Sequence, residues 1–541
     1  MAVRTLSGRR VAWASAFSIV ALLSAQPVLA GGYIVKFKQG TAGFQNAISS
    51  KSINGSQIVD SHETGGLVVV DFGKSSNRQT AQRLVELMQN PEVQYVVENK
   101  KVHAFNMPND PETSKQWSIA TVRAADAWTS GVGSKNIVVA VTDTGVDYSH
   151  GDIKDNMWTN KKEIPGNNID DDNNGFVDDI YGYDFNGNDG DPKDEVGSQN
   201  PGHGTHCAGI LGAVGDNGKG ISGMSQKISI MASRFLGADG SGDLMGAVKS
   251  IDYATNNGAN VISASWGAGV SATDAQPITE AISRANDKGV IFVAAASNDG
   301  KNNDGYEVYP ANTPLPNVIT VAASNSSDGK PSWSNYGIGK VSLAAPGDAI
   351  YSTLPGEKYG NLSGTSMATP LVSGLVGLML SHNPNLKPAE VKALLQASGA
   401  KSAIETACEC RVDAAAVVER IKTSNLTIVP QAATINPNAT IQFSAFGGKA
   451  PFKFASSAET IGSIDANGLL TAKGTGEINV TVTDADNKTN QSLRVRVIEQ
   501  GSGGGGGDGG GGGGGGGQEC PLDPQMCEIM CQFQPDLPWC K

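Results

Sequence analysis

A chain of 541 residues is longer than one hydrophobic core usually supports, so several domains are expected, the largest big enough for an enzyme. The net charge of −12 peaks in one acidic segment and no basic patch opposes it, which argues against a nucleic-acid partner and admits a cation.

Residues 1–30 carry Arg4, Arg9 and Arg10, then the apolar run VAWASAFSIVALLSA, then PVLA ending at Ala30. This predicts a secretory signal peptide cleaved after Ala30, the alternative being a retained N-terminal anchor. After signal removal no membrane span is expected, because no later run reaches the roughly 18 apolar residues that a spanning helix needs. Export would place the protein outside the cell or at its surface, where disulfides persist. Cys207, among small apolar residues, is the expected buried free thiol, while Cys408 lies beside Cys410. Cys520, Cys527, Cys531 and Cys540 lack the CxxC spacing of a metal site and predict two disulfides of open connectivity.

Residues 31–106 alternate the strand-like runs YIVKFK, GLVVVDF and VQYVVE with one helical segment, RQTAQRLVELMQN, as in a small α+β unit. Over 107–423 the pattern changes. The apolar runs NIVVAVTD, ISIMASRF, NVISAS, VIFVAAAS and NVITVAAS are each followed by a helical segment. Near-continuous apolar strands between helices predict an α/β fold, a parallel sheet flanked by helices on both faces. Residues 424–499 hold short alternating strands, LTIVP, TIQFSAF, GLLTA, EINVTVTD and SLRVRVIE, a β-sandwich pattern. The glycine run of 500–517 predicts a flexible linker to a cysteine-rich tail, 518–541.

Polar residues at the C-terminal ends of parallel strands face the ligand crevice. Asp143 stands at such an end, before a glycine that lets the chain turn. His203 opens a helix of small apolar residues, with His206 a turn later as a structural residue. Ser366 begins a segment apolar on every face, LVSGLVGLML, which predicts a buried helix, with Thr365, Ser366 or Thr369 to cap it and Pro370 in its first turn. A serine hydroxyl is a poor nucleophile until an imidazole takes its proton and a carboxylate holds that imidazole. The developing oxyanion needs donors, for which the helix N–H groups and the amide of Asn298 are candidates.

The segments VTDTGVD, HGTHCAGI and SGTSMATP together resemble a subtilisin-like serine protease, or subtilase. The resemblance implies Asp143 as orienting carboxylate, His203 as general base and acid, Ser366 as nucleophile and Asn298 as oxyanion donor beside the Ser366 N–H. It implies an extended peptide substrate paired between Ser265-Trp266-Gly267 and Gly240-Ser241-Gly242, with broad cleavage. Ser297 stands where the family usually has glycine, near the primary specificity pocket, and Leu371 where it usually has histidine. Residues 31–106 resemble the inhibitory propeptide of the family, so cleavage between about Ala104 and Asp110 is expected, with Phe105 and Met107 hinting at a preference for large apolar side chains. Residues 424–499 are similar to bacterial immunoglobulin-like domains.

Within NNIDDDNNGFVDDIYGYDFNGNDGDPKDE, the residues Asp170, Asp172, Asn174 and Gly175 match the start of a calcium loop, followed by the Phe176 carbonyl and Asp178. Tyr181 stands where such a loop ends in glutamate, leaving Asp179 or Asp184 to substitute. The resemblance implies a second calcium site from Asp152, Asn217 and the carbonyls of Gly215, Lys219 and Ile221. The expected protein is a secreted, monomeric serine endopeptidase with structural calcium, polypeptide substrates and its own propeptide as inhibitor. The alternatives are a surface-binding protein on a protease scaffold and a narrow processing peptidase.

Overall fold

The computed structural model describes residues 32–39, 41–72, 77–99 and 107–499. The predicted signal, the glycine linker and the cysteine-rich tail lie outside the described residues. Two compact units divide the chain, one ending at Ala104 and the other starting at Phe105.

In the first unit, β1 (Tyr33–Phe37), β2 (Ser52–Ile53), β3 (Ser56–His62), β4 (Leu67–Asp71) and β5 (Val93–Glu98) form one antiparallel sheet in the order β2-β3-β4-β1-β5. Helices α1 (Gly43–Ser50) and α2 (Asn77–Gln89) accompany it, and Val35, Phe37, Val68, Val70 and Leu87 share one core. Strand β3 is not foreseen from the sequence because most of its residues are exposed, so no apolar alternation marks it.

The second unit begins with the short helices α3 (Trp117–Thr121) and α4 (Ala124–Trp128). Strands β6 (Gly133–Asp143), β7 (Gly182–Asp184), β8 (Lys227–Arg234), β9 (Val261–Ala264), β10 (Ile291–Ala295), β11 (Val318–Ser324) and β12 (Leu343–Pro346) follow. The expected apolar runs are these strands, buried because helices cover both faces of the sheet. Joined by β15 (Ala400–Lys401) and β16 (Cys410–Arg411), they form a sheet in the order β15-β16-β12-β11-β10-β9-β6-β8-β7, parallel except at β15. Helices α5 (His203–Gly212), α6 (Leu244–Asn256), α7 (Gln276–Asp287), α8 (Thr365–His382), α9 (Pro388–Ser398) and α10 (Ala414–Lys422) surround it. A hairpin of β13 (Ile350–Leu354) and β14 (Lys358–Leu362) packs beside α5. Met367 to Leu380 of α8 are buried without interruption, as expected for a helix apolar all round.

The immunoglobulin-like region folds as small sheets around Phe443, Leu470, Val480, Val482 and Val495. Two runs that read as single strands are each broken. Thr440–Gln442 pairs with Leu469–Ala472, whereas Ser444–Phe446 pairs with Thr427–Val429. Gly476–Ile478 pairs with Arg494–Val497, whereas Val480–Thr483 joins Lys453–Ser456 and Thr489–Gln491. The chain switches sheets at Phe443 and Asn479, as strands at the corners of a sandwich do. Cys408 and Cys410 form a disulfide, and Cys207 is a buried free thiol. Among the described residues no helix is long and apolar enough to cross a membrane.

Candidate active site

Asp143 ends β6, where its buried carboxylate accepts from Thr144 N at 2.8 Å through Oδ1. His203 starts α5, and its Nδ1 lies 2.7 Å from the same oxygen. Two glycines allow this approach. Gly145 turns away from the strand at φ +108°, and a Cβ on Gly204 would lie 2.1 Å from the Gly145 carbonyl oxygen and 3.2 Å from Asp143 Cβ. Only a bare backbone lets the helix start this close to the strand end.

The start of α5 is held by its surroundings. Asn200 Oδ1 accepts from the N–H groups of Gly202 and His203, at 2.9 and 2.8 Å. Buried Asp194 accepts from Thr144 Oγ1, Asn200 Nδ2, Thr205 N and Thr205 Oγ1, all within 2.9 Å. Burial still raises its pKa against those donors. Asp194 escapes sequence reasoning because an aspartate in an acidic loop reads as solvated. Burial also disfavours the His203 imidazolium, but the neighbouring Asp143 carboxylate outweighs it and holds the pKa well above the ordinary histidine value. His206 is buried, lies 3.1 Å from the Gly360 carbonyl through Nε2, and is pushed down to about 3 by desolvation. It is a neutral packing residue, as expected.

Ser366 is the second residue of α8. No side chain of Thr365, Ser366 or Thr369 caps this helix; Asn298 Oδ1 instead accepts from Thr365 N at 2.9 Å and Thr365 Oγ1 at 3.0 Å. Pro370 sits inside the helix rather than in its first turn and cannot donate to the carbonyl of Ser366, four residues back. That carbonyl accepts from Ser265 Oγ at 2.9 Å and Cys207 Sγ at 3.4 Å instead. Cys207 Sγ is also 4.0 Å from His203 Nδ1, so one buried thiol adjoins both segments. Burial raises the pKa of that thiol. The Ser366 hydroxyl donates to the Ser265 carbonyl oxygen at 3.1 Å, and among the described residues no hydrogen bond joins it to His203.

Because Asn298 Oδ1 is occupied, its Nδ2 is left to donate outward. A Cβ built on Gly364 would lie 3.4 Å from Ser366 N and 3.5 Å from both Asn298 Nδ2 and Ser366 Cβ. The two N–H donors and the serine therefore flank one corner beside Gly364, which is kept open by the missing side chain.

Trp266 donates from Nε1 to Thr142 Oγ1 at 3.1 Å and meets Phe235 edge-on at 5.0 Å, while Gly267 is exposed. Gly240, Ser241 and Gly242 are exposed in a turn closed by Gly237 N donating to Ser241 O at 2.8 Å. Phe235 also packs under Gly242, so its ring stands between the two predicted substrate segments. Ser297 is partly buried at φ +91°, with its hydroxyl donating to Asp299 Oδ2 at 2.7 Å. The strained φ accounts for glycine being usual at this place.

Carboxylate oxygens of Asp170 and Asp172 meet those of Glu163, all within 4.8 Å of one another. This all-oxygen set fits calcium. Glu163 is missed from sequence because it precedes the loop. The rest of the expected register is spent elsewhere. Asp178 accepts from Gly166 N and Asn168 N, and Asn174 donates to Asp179 and accepts from Phe176 N. Asp179 accepts from Tyr253 OH and Asn160, and Asp184 pairs with Arg234 at 2.9 Å, so neither replaces the missing glutamate. Asp152 and Asn217 do come together, but Asp152 accepts from Asn217 Nδ2, Ile221 N and Tyr359 OH. Asn217 Oδ1 accepts from Lys219 N, and Asp110 accepts from the N–H groups of Asp216, Asn217 and Gly218 beyond Gly215. Donors surround the Asp152 carboxylate, as they do those of Glu163, Asp170 and Asp172.

A carboxylate-held imidazole, a serine at a helix start and two donors facing one corner suit acyl transfer through a serine hydroxyl, and so define a serine hydrolase by class. Comparison with known proteins narrows that class. The Subtilase family matches residues 134–412, and the bacterial Ig-like domain (group 2) matches 422–497. Thermitase of Thermoactinomyces vulgaris is 39% identical over 51% of this chain and 86% of its own length. The thermophilic serine proteinase of Bacillus sp. (strain AK1) is 34% identical over 66% of this chain and 79% of its own. A solved protease of Pseudoalteromonas arctica is 28% identical and matches 58% of this chain and 100% of its own, with a TM-score of 0.48. The chain belongs to the subtilase family and is a subtilisin-like serine protease.

Proposed function

We propose that the protein is a secreted endopeptidase that hydrolyses peptide bonds through an acyl-enzyme on Ser366. Rotation about the Ser366 Cα–Cβ bond turns the hydroxyl from Ser265 O toward the imidazole. His203 Nε2 takes the proton as Oγ attacks the scissile carbonyl carbon, and the carbonyl electron pair moves onto oxygen in the corner beside Gly364. Ser366 N–H and Asn298 Nδ2 stabilise that oxyanion. Its collapse breaks the C–N bond, with His203 returning the proton to the leaving amine; a water then repeats the sequence to release the acid. Asp143 holds the tautomer and stabilises the imidazolium. The supporting observation is the 2.7 Å contact between His203 and buried Asp143, set beside the helix start that presents Ser366.

The extended substrate pairs with Ser265-Trp266-Gly267 and Gly240-Ser241-Gly242, which favours broad cleavage. Residues 31–106 act as the inhibitory propeptide, removed by self-cleavage between Ala104 and Asp110. Glu163, Asp170 and Asp172 hold a structural calcium ion. The purified full-length precursor should shorten at this junction and then digest an unfolded protein. Ser366→Ala should do neither; a Ser366→Ala protein that still processes itself and digests substrate would sink the proposal.

A second reading, a selective processing peptidase, is favoured by a cleft of about 330 Å³ beside Ser241, with Phe185 and Phe235 in its walls and Asp239 and Asp243 lining it. Aromatic walls and two carboxylates suit a long cationic side chain. Cleavage profiling on a protein mixture separates the readings: a strong enrichment of Lys or Arg at one position favours selectivity, and an even profile favours breadth.

A further inference from the structure

Between α9 and the immunoglobulin-like strands lies a cavity of about 50 Å³. Lys340, Lys392 and Gln396 line it from the protease domain, and Thr434, Arg494 and Arg496 from the immunoglobulin-like domain. Every charged residue in its lining is a cation. The two arginines are anchored by carboxylates outside that lining. Glu477 spans both at 3.6 and 3.1 Å, Glu409 reaches Arg494 at 3.3 Å, and Asp304 reaches Arg496 at 4.0 Å. These three carboxylates hold the two guanidinium groups in place and offset their charge.

The lysines have no such compensation. Among the described residues neither Lys340 nor Lys392 forms an ion pair with a carboxylate, and burial alone holds the Lys392 ammonium down at about 8. Gln396 Nε2 donates to Ser342 O at 3.1 Å. A buried ammonium without a counter-charge is costly, and a bound anion removes that cost while using the neighbouring guanidinium donors. One water requires roughly 10–15 Å³ of such space. A space of about 50 Å³ accommodates a compact tetrahedral ion.

We propose that this interdomain cavity binds a small inorganic oxyanion, sulfate or phosphate, which ties the immunoglobulin-like domain to the protease domain. The ion bridges Lys340 and Lys392 on one side to Arg494 and Arg496 on the other. None of its residues belongs to the Asp143, His203 or Ser366 segments, and it needs no catalytic role for them.

The test is isothermal titration of the full-length Ser366→Ala protein with sodium sulfate, and separately with inorganic phosphate, at ionic strength matched with sodium chloride. One saturable site is expected, weakened at least tenfold by Lys392→Met and unchanged within twofold by Lys473→Met, which alters an exposed lysine of the immunoglobulin-like domain. Lys340→Met provides a second weakened variant should Lys392→Met fail to fold. Phenyl phosphate should not compete, which distinguishes a free ion from a phosphate ester carried by a larger molecule. Absence of saturable binding, wild-type affinity in both cavity variants, or equally tight binding of phenyl phosphate would overturn the proposal.

Discussion

Ser297 occupies backbone at φ +91°, where glycine is at ease and a side chain costs roughly 1–2 kcal/mol. Ser297→Gly should therefore raise stability by roughly 0.5–1 kcal/mol in urea unfolding, after allowing for the extra freedom glycine gives the unfolded chain. Ser297→Ala, which retains the Cβ, should show no such gain. Gly364 differs, since its φ of 163° is extended backbone open to any residue. The methyl of Gly364→Ala would fill the corner between Ser366 N and Asn298 Nδ2, so kcat should fall about 100-fold or more while stability stays within 0.5 kcal/mol. Equal losses of activity and stability would point to packing instead. At His203 the base must be neutral to work, and the Asp143 carboxylate raises its pKa. The acidic limb of kcat/KM should accordingly lie above pH 6.5. Asp143→Asn should move that limb downward and lower kcat by about 10⁴.

At the scale of elements, α5 meets β6 only because Gly204 has no side chain. Gly204→Ala would put a methyl 2.1 Å from the Gly145 carbonyl oxygen and should destabilise by about 1–3 kcal/mol, measured by thermal unfolding. The same helix carries a pH dependence through His206, which titrates near 3 when folded and near 6.5 when unfolded. Between those values the unfolded chain binds the extra proton, so acidification favours unfolding. From pH 6.5 to 5 this group should remove about 2 kcal/mol, a slope that His206→Gln would abolish. The strands around these helices were legible because β8 to β12 are buried on both faces, which leaves continuous apolar runs. Asp143, His203 and Ser366 were legible because each opens or closes such an element. Glu163 and Asp194 were not, since each reads as a solvated acid of a polar loop and its partners include distant segments. The breaks at Phe443 and Asn479 were hidden for another reason: Asn479 turns inward to donate to Ser492 and Leu493 carbonyls, which alternation of residue types does not reveal.

For the whole molecule, the acidic loop and the cavity between domains link stability to ions. If Glu163, Asp170 and Asp172 bind calcium only when folded, excess chelator should lower the melting temperature of the Ser366→Ala protein by several degrees. A transition unmoved by chelator would refute that site. The subtilase domain itself relies on three segments far apart in sequence meeting at the C-terminal end of β6. The most direct test of that meeting is the pH dependence of fluorophosphonate labelling, with the adduct mapped by mass spectrometry. The account requires one adduct, on Ser366, forming faster as pH rises through an apparent pKa above 6.5. An adduct on another residue, or a labelling rate indifferent to pH and to loss of His203, would contradict it.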